Sequence, residues 1–440
     1  MSPIRVGLLG IGTVGGGTWE VLNRNADEIQ RRAGRAIQIT QVADKDTARA
    51  QKVTGGKAKV VGDAVEVVRS KDVDIVVELI GGYTVAKDLQ LEAIKNGKHV
   101  VTANKALLAT HGNEIFAAAQ KKGVMVAFEA AVAGGVPIIK ALREGLSANR
   151  IEWIAGIING TSNFILSEMR EKGLPFEAAL KDAQARGYAE ADPTFDIEGI
   201  DAAHKLTILS ALAFGIPMQF KRAYTEGIGK LTQQDIKYAE EMGYRIKLLG
   251  ITKRTAKGIE LRVHPTLIPT RRLIANVEGV MNAILVNGDA VGPTLYYGAG
   301  AGSQPTASAV VADLVDVTRL ITADPEQRVP HLAFQPDQLS DTPVLSIDDV
   351  ETSYYLRMRV ADEPGVLADI ARILADCRIS IGAMVQKEPG HLENEGDQPV
   401  DIVMLTHRAL ERDVNQAMRK IEGLPTVLGS IVRLRLESLL

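Results

Sequence analysis

One cysteine, Cys377, in 440 residues excludes an internal disulfide framework and a thiolate zinc cluster, and it suits a reducing cytoplasm. The net charge of −3 leaves no basic excess to recruit nucleic acid, and no cationic amphipathic segment offers itself to a membrane surface. Long apolar runs are missing too. The longest uncharged stretch, residues 290–312, is broken by Gly, Pro, Ser and Gln and reads as loop, not as a span. The opening "MSPIRVGLLGIG" runs directly into a strand and a turn without a signal-peptide pattern, so a cytoplasmic location is expected. What remains is an ordinary globular composition, long enough for two or three domains with cores of their own.

Against that background, "GYAEADPTFDIEGIDAAHKL" (residues 187–206) gathers Glu190, Asp192, Asp196, Glu198 and Asp201 just ahead of Lys205. An exposed acidic loop, or a surface i,i+4 pair of Asp201 and Lys205 contributing a few tenths of a kcal/mol, is the plain alternative. The following residues argue against both. In "IDAAHKLTILSALAFG", at ~100° per residue, Asp201, Lys205, Ile208 and Leu212 fall on one line, while Ala202, Leu206, Leu209 and Ala213 make the other faces apolar. A helix apolar on all sides is buried, and a core alone is better served by Leu or Met than by a desolvated ion pair. The pair is therefore a candidate for function.

The N-terminus reads as strand "IRVGLLG", turn "GIGTVGGG" and a helix from about Thr18 to Arg32. Gly10, Gly12 and Gly15 satisfy GxGxxG between a strand and a helix, where the spacing serves a tight turn, close approach of a pyrophosphate, and helix-on-strand packing. Ile11, Thr13 and Val14 complete that phosphate loop at the positive end of the helix. Strand-like runs at "AIQITQVAD", "VDIVVELI", "KHVVTAN" and "GVMVAFEAAV" alternate with helical ones. An α/β fold with an N-terminal Rossmann-type doubly wound parallel sheet is expected, with ligands beyond the carboxyl ends of its strands. Asp44, at the end of the second strand, favours a free ribose 2'-hydroxyl, but Lys45 follows at once and could pair with a 2'-phosphate. NAD and NADP both stay open. Gly81, in "IGG", removes a side chain where a nicotinamide ribose would pass, and Lys105, in "TANKALLA", stands at a strand end that is either ligand-facing or merely exposed.

The second region carries strand "RIEWIAGIING", a helix "TSNFILSEMREKG" capped near Thr161 or Ser162, the acidic run and the apolar helix, then strands leading to "YYGAGAGSQPTASAVVADLVDV". The last helix, with Gly300 and Gly302 near its start, is expected to pack back on the first domain. Together these blocks suggest a cleft enzyme. The run from Gly187 through Asp192, Pro193, Asp196, Gly199 and Asp201 to Lys205 closely resembles the homoserine dehydrogenase signature; "NKALLA", "GIINGTSNFIL" and "GAGAGSQPTASAVVADL" resemble further blocks of that family, in order, from Ile4 to about Asp316. The resemblance implies reversible NAD(P)-dependent hydride transfer between L-homoserine and L-aspartate 4-semialdehyde. It also implies that Lys205 contacts the reacting oxygen with Asp201 orienting it, that Lys105 lies between nicotinamide and substrate, and that Glu190 and Asp196 hold the substrate amino group with Tyr188 and Thr161 nearby. Which lysine moves the proton is left open. A monovalent cation, usually sodium, is implied at Glu129 and the carbonyls of Val132, Gly134 and Val136 in "EAAVAGGVP", where the bland alternative is a glycine-rich hinge.

After a polar linker the order βαββαβ predicts a ferredoxin-like domain that resembles an ACT domain, with "DEPGVLADI" (Asp362 to Ile370) as its ligand loop. Feedback control by L-threonine follows from that resemblance, against a domain that only dimerises. Cys377 reads as a small buried residue. The expected division is residues 1–135 for the dinucleotide, 136–330 for α+β catalysis and dimerisation, 331–350 as linker and 351–440 as regulatory domain, in a homodimer or homotetramer. Aspartate-semialdehyde dehydrogenase chemistry needs a nucleophilic cysteine that the catalytic region lacks. A non-catalytic nucleotide and amino-acid sensor is the alternative from another class, and would not need both Lys105 and Lys205.

Overall fold

A computed structural model describes residues 2–387 and 399–439. Its first sheet holds β1 (Ile4–Leu9), β2 (Ile37–Ala43), β3 (Lys59–Val61), β4 (Ile75–Glu78), β5 (His99–Thr102) and β6 (Val126–Ala127). All pair in parallel, in the order β3-β2-β1-β4-β5-β6. Helices cover both faces, which is why Val6, Leu8, Ile75, Val76, Val77 and Val100 form near-continuous apolar runs with no exposure. The strand order reverses between β1 and β4, and the crevice at that switch point is where such sheets bind ligands.

The first helix begins at Thr13, immediately after Gly12, and breaks at Asn25 into Thr13–Arg24 and Ala26–Ala33. It thus starts earlier than the hydrophobic pattern indicates. The expected fifth parallel run, "GVMVAFEAAV", is a strand only over Val126–Ala127 before a 3-10 turn at Glu129–Ala131. The uncharged residues 290–312 are not a loop throughout: they hold the whole strand Gly292–Ala299, a tight turn at Gly302 and the start of the helix Ser303–Leu320. That helix packs along Thr13–Arg24; Ser303 Oγ donates to the Thr13 carbonyl at 2.9 Å, and a Cβ on Gly17 would lie 2.5 Å from Ser303.

The second sheet is mixed: β7 (Ile151–Ile157), β8 (Tyr224–Thr225), β9 (Tyr244–Arg254), β10 (Ile259–Pro269), β11 (Met281–Gly288), β12 (Gly292–Ala299), β13 (Glu351–Val360), β14 (Ile381–Lys387), β15 (Val400–Thr406), β16 (Ala409–Leu410) and β17 (Val432–Leu436). Its main path runs β12-β11-β7-β9-β10-β17-β13-β15-β14. The C-terminal strand β17 joins the two halves, pairing parallel with β10 (Thr266 with Arg435, Leu267 with Leu436) and antiparallel with β13. The C-terminal unit has the βαββαβ order with helices Val366–Asp376 and Glu411–Glu422, and Cys377 lies buried in its core. Most of the expected loop "KEPGHLENEGDQ" lies outside the described residues. One apolar core runs from Leu9 and Leu107 through the helix Ile200–Phe214 to Leu434. Among the described residues no helix is long and apolar enough to cross a membrane.

Candidate active site

Every residue from Asp201 to Phe214 of the helix Ile200–Phe214 is buried, and Gly199, left-handed at φ 77°, turns the chain into it. One carboxylate collects three donors there. Lys205 Nζ reaches Asp201 Oδ2 at 2.7 Å and Asn159 Nδ2 reaches the same oxygen at 2.9 Å, while Lys105 Nζ lies 3.2 Å from Oδ1. Lys205 Nζ also donates to the Ile158 carbonyl, just past β7, at 2.7 Å. Lys105 opens the helix Lys105–Lys122 beyond β5, where Asn104 caps the helix by accepting from Leu107 N at 3.1 Å. Its side chain is 36% exposed, against 11% for Lys205 and 7% for Asp201, so it is the member of the cluster most open to a ligand.

Burial alone would push the Asp201 carboxyl up; the ammonium groups of Lys205 and Lys105 outweigh it and hold the acid well below the usual carboxylate range. For Lys205 burial wins: it lowers the pKa against the pull of Asp201, and Lys105 adds to the lowering. A permanently ionised acid beside a lysine that releases its proton more readily than a free one can hold and move a proton.

Asn159, at the end of the same strand, is the N-cap of the helix Gly160–Lys172; its Oδ1 accepts from Ser162 N at 2.8 Å, so its amide nitrogen must face the carboxylates. That nitrogen donates to Asp196 Oδ1 at 2.7 Å as well as to Asp201. Burial raises the Asp196 pKa, with the nearby Asp201 charge adding to the rise. Thr161 Oγ1 donates to the Tyr188 carbonyl at 2.6 Å, and the exposed Tyr188 ring lies edge-on to Phe164 at 5.0 Å. Lys105, Asn159, Asp196, Asp201 and Lys205 thus form one hydrogen-bonded group, to which Thr161, hydrogen-bonded to Asp196, ties the Tyr188 carbonyl. Glu190 stands outside it; it is exposed, and its carboxylate has no partner among the described residues.

The crevice of the first sheet fits a dinucleotide. Gly10 is left-handed at φ 88°, a Cβ on Gly15 would lie 2.1 Å from the Gly10 carbonyl, and a Cβ on Gly12 would enter open space. Ile11 N donates to Asp44 Oδ2 at 2.8 Å, which fixes the acid beside the glycine turn, while Lys45 is exposed next to it. Gly81, at φ 78°, is open around its missing side chain. Thr13 and Val14 start the helix, and Gly302 stands by them through the Ser303 contact.

In the segment after β6, Ala133 and Gly134 are both left-handed (φ 55° and 50°), and Gly134 packs against the Gly300 carbonyl. The buried Glu129 carboxylate accepts from Ile139 N at 2.9 Å and Lys140 N at 2.8 Å. No described N–H donates to the Val132 or Gly134 carbonyls, whereas Val136 O accepts from Ile138 N at 2.8 Å. Buried carbonyls without donors beside an acid suit a hard cation.

Residues 10–129 match the family model of the homoserine dehydrogenase NAD-binding domain, residues 137–315 that of homoserine dehydrogenase, and residues 354–426 that of the ACT domain. The homoserine dehydrogenase of Pseudomonas aeruginosa is 63% identical over 439 residues, with 100% of both chains covered. The chain belongs to the homoserine dehydrogenase family. A solved homoserine dehydrogenase from Thiobacillus denitrificans superposes with a TM-score of 0.95 at 69% identity, over 100% of this chain and 99% of its own. A hyperthermophilic archaeal homoserine dehydrogenase mutant, solved in complex with NADPH, gives 0.63 at 25% identity, over 73% of this chain and 99% of its own.

As a homoserine dehydrogenase the chain is an NAD(P)-dependent oxidoreductase that interconverts L-homoserine and L-aspartate 4-semialdehyde. Three residues around this cluster and the crevice escape a reading of the sequence. Asn159 caps the helix two or three residues before the expected Thr161 or Ser162, and nothing local marks it as a bridge between acids 37 and 42 residues away. Glu78 ends an apolar strand as an ordinary acid would. His204 sits between the Phe220 and Phe195 rings (4.1 and 5.3 Å) with neither ring nitrogen hydrogen-bonded to a described group, and burial pushes its imidazole down to about 4.

Proposed function

We propose that the reaction takes place between the glycine loop of the first domain and the helix Ile200–Phe214, with Lys205 exchanging the proton of the substrate oxygen, Asp201 orienting it and Lys105 standing between nicotinamide and substrate. The observation that carries this reading is one buried carboxylate, Asp201, contacted by both lysines. When bound, the nicotinamide supplies or takes the hydride at the substrate carbon. In aldehyde reduction the Lys205 ammonium stabilises the developing oxyanion and then gives it a proton; in homoserine oxidation the neutral amine takes the hydroxyl proton back. The lowered pKa of Lys205 makes the neutral form accessible, and Asp201, ionised throughout, keeps the side chain aimed.

Asp196 and Glu190 hold the substrate ammonium, with Thr161 and Tyr188 forming the wall beside it. Gly10 to Gly15, Gly81, Lys105 and Gly302 line the cofactor, Asp44 favours a free ribose, and Lys45 supplies the counter-charge that a 2'-phosphate needs. Sodium is assigned to Glu129 with the carbonyls of Val132, Gly134 and Val136, where it rigidifies the passage from the first domain into the second. L-threonine is assigned to the Asp362–Ile370 loop of the ACT domain, in a cytoplasmic homodimer or homotetramer divided at residues 1–135, 136–330, 331–350 and 351–440. The test is steady-state oxidation of NADPH and NADH with aspartate semialdehyde. Lys105→Ala is expected to lower kcat by about two orders of magnitude or more, and Glu190→Gln to raise the substrate KM. Full activity in Lys105→Ala would remove that lysine from the reaction.

A further inference from the structure

The carboxylate of Glu78 is completely buried at the C-terminal end of β4 and takes four donors. Oε1 accepts from the consecutive amides Ile80 N and Gly81 N, both at 2.9 Å; Oε2 accepts from Gln90 Nε2 at 2.7 Å and Thr102 Oγ1 at 2.9 Å. The parallel register sets Glu78 and Thr102 side by side at the ends of β4 and β5, from which the Ile80–Gly82 loop and the Lys105 helix depart. Thr102 Oγ1 in turn accepts from Asn104 N at 3.0 Å, and Asn104 Nδ2 donates to the Gly82 carbonyl at 2.8 Å while its Oδ1 caps the helix. Around Gly81 and Gly82, both left-handed, a Cβ would meet nothing, and Ile80, Tyr83 and Val85 are exposed, so packing alone does not hold this loop. A carboxyl group at such a depth is costly to desolvate unless its acceptor positions are filled, and here four donors fill them, all from the loop and strand ends around the crevice or the helix behind them.

From this we propose that Glu78 is a positioning residue for the reaction: it locks the Ile80–Gly82 loop and the Lys105 helix start into one unit, so that the nicotinamide surface and Lys105 are fixed relative to each other. The inference rests on the cofactor crevice and the Lys105 role given under Proposed function. Glu78→Gln keeps the shape but puts a donor where an acceptor is needed; Thr102→Val keeps the two loop amides on Glu78 Oε1 and removes the Thr102 bridge, its donation to Glu78 Oε2 and its acceptance from Asn104 N and Gln90 Nε2. NADPH fluorescence titration and steady-state kinetics on the full chain read both.

Glu78→Gln is expected to weaken NADPH binding and to lower kcat by about tenfold or more each, the scale of a lost charged hydrogen bond, with homoserine KM unchanged. Thr102→Val is expected to lower kcat several-fold with NADPH affinity within about twofold of wild type, since the loop contacts stay. That split between binding and turnover is not what a general loss of stability gives. If both variants bind NADPH and turn over like wild type while Lys105→Ala is inactive, Glu78 is only a satisfied core acid and the inference is wrong. Should Lys105→Ala also be fully active, the Lys105 reading itself falls. If Glu78→Gln fails to fold, Thr102→Val decides: an unchanged kcat overturns the proposal.

Discussion

Replacing Asp201 by Asn leaves the Lys205 ammonium buried without its carboxylate, which makes it the most informative perturbation of the cluster. The amide offers one acceptor oxygen where three donors converge at 2.7, 2.9 and 3.2 Å, so its own nitrogen must face one of them. Stripping the partner from a buried charge costs about 3–5 kcal/mol. Lys105, a third exposed, contributes only the ~0–1 kcal/mol of a surface pair. Lys205→Met is milder in stability: Met fits an apolar helix, and the buried Asp201 that loses its ammonium keeps Asn159 and Lys105, so the cost falls at the lower end of the buried-charge range, about 3 kcal/mol, with the donor to the Ile158 carbonyl included. Turnover behaves differently, because both variants disable proton transfer and each should lose about two to four orders of magnitude in kcat. Chemical denaturation and an NADPH oxidation assay on the three proteins give the comparison. An Asp201→Asn enzyme as stable as wild type within ~0.5 kcal/mol, or a Lys205→Met enzyme keeping a tenth of its kcat, would refute the reasoning.

The depressed Lys205 pKa fixes a pH sign: homoserine oxidation needs the neutral amine, so its kcat rises with pH through that pKa, while aldehyde reduction needs the ammonium and falls over the same range; paired pH profiles check this, and both should flatten in Lys205→Met. Where the two halves of the second sheet join, Glu411, 1% exposed, accepts from Arg435 Nε and the Tyr354 hydroxyl at 2.8 Å each and pairs with Arg433 at 2.6 Å. Glu411→Gln should cost about 3–5 kcal/mol in unfolding experiments and weaken any threonine effect on rate, since Arg435 also reaches Glu226, two residues from the Ile228 amide that bonds Ile197 in the acidic segment. In the proposed cofactor site Asp44→Ala removes a negative charge and leaves Lys45, so the NADPH to NADH ratio of kcat/KM should rise about tenfold or more, within the ~1–4 kcal/mol of unit charges about 4 Å apart.

Local signals gave up the first sheet and half of the cluster. A glycine fingerprint placed between strand and helix needs no distant partner to be read, and the i,i+4 spacing of Asp201 and Lys205 on an all-apolar helix announces a buried pair. The partners that complete the cluster are another matter. Lys105 comes from the edge of a different sheet, and Asn159 reaches Asp201 across 42 positions, distances over which periodicity carries no information. The same reason explains the short β6. Its apolar continuation reads as strand, but Glu129 turns inward to cap Ile139 and Lys140, and its amide is taken by Asp313 Oδ2 at 2.8 Å, contacts that end the ladder early. The joining of the two halves through β17 is equally silent in sequence, since only two register pairs with β10 make the connection.

The most direct test of Lys205 as the proton-transfer group is a crystal structure of the enzyme with NAD(P) and homoserine bound. The account requires the homoserine hydroxyl within hydrogen-bond reach of Lys205 Nζ, roughly 2.6–3.2 Å, with Asp201 still accepting from that lysine. A hydroxyl bonded elsewhere, with Lys205 facing only Asp201 and the Ile158 carbonyl, would contradict it.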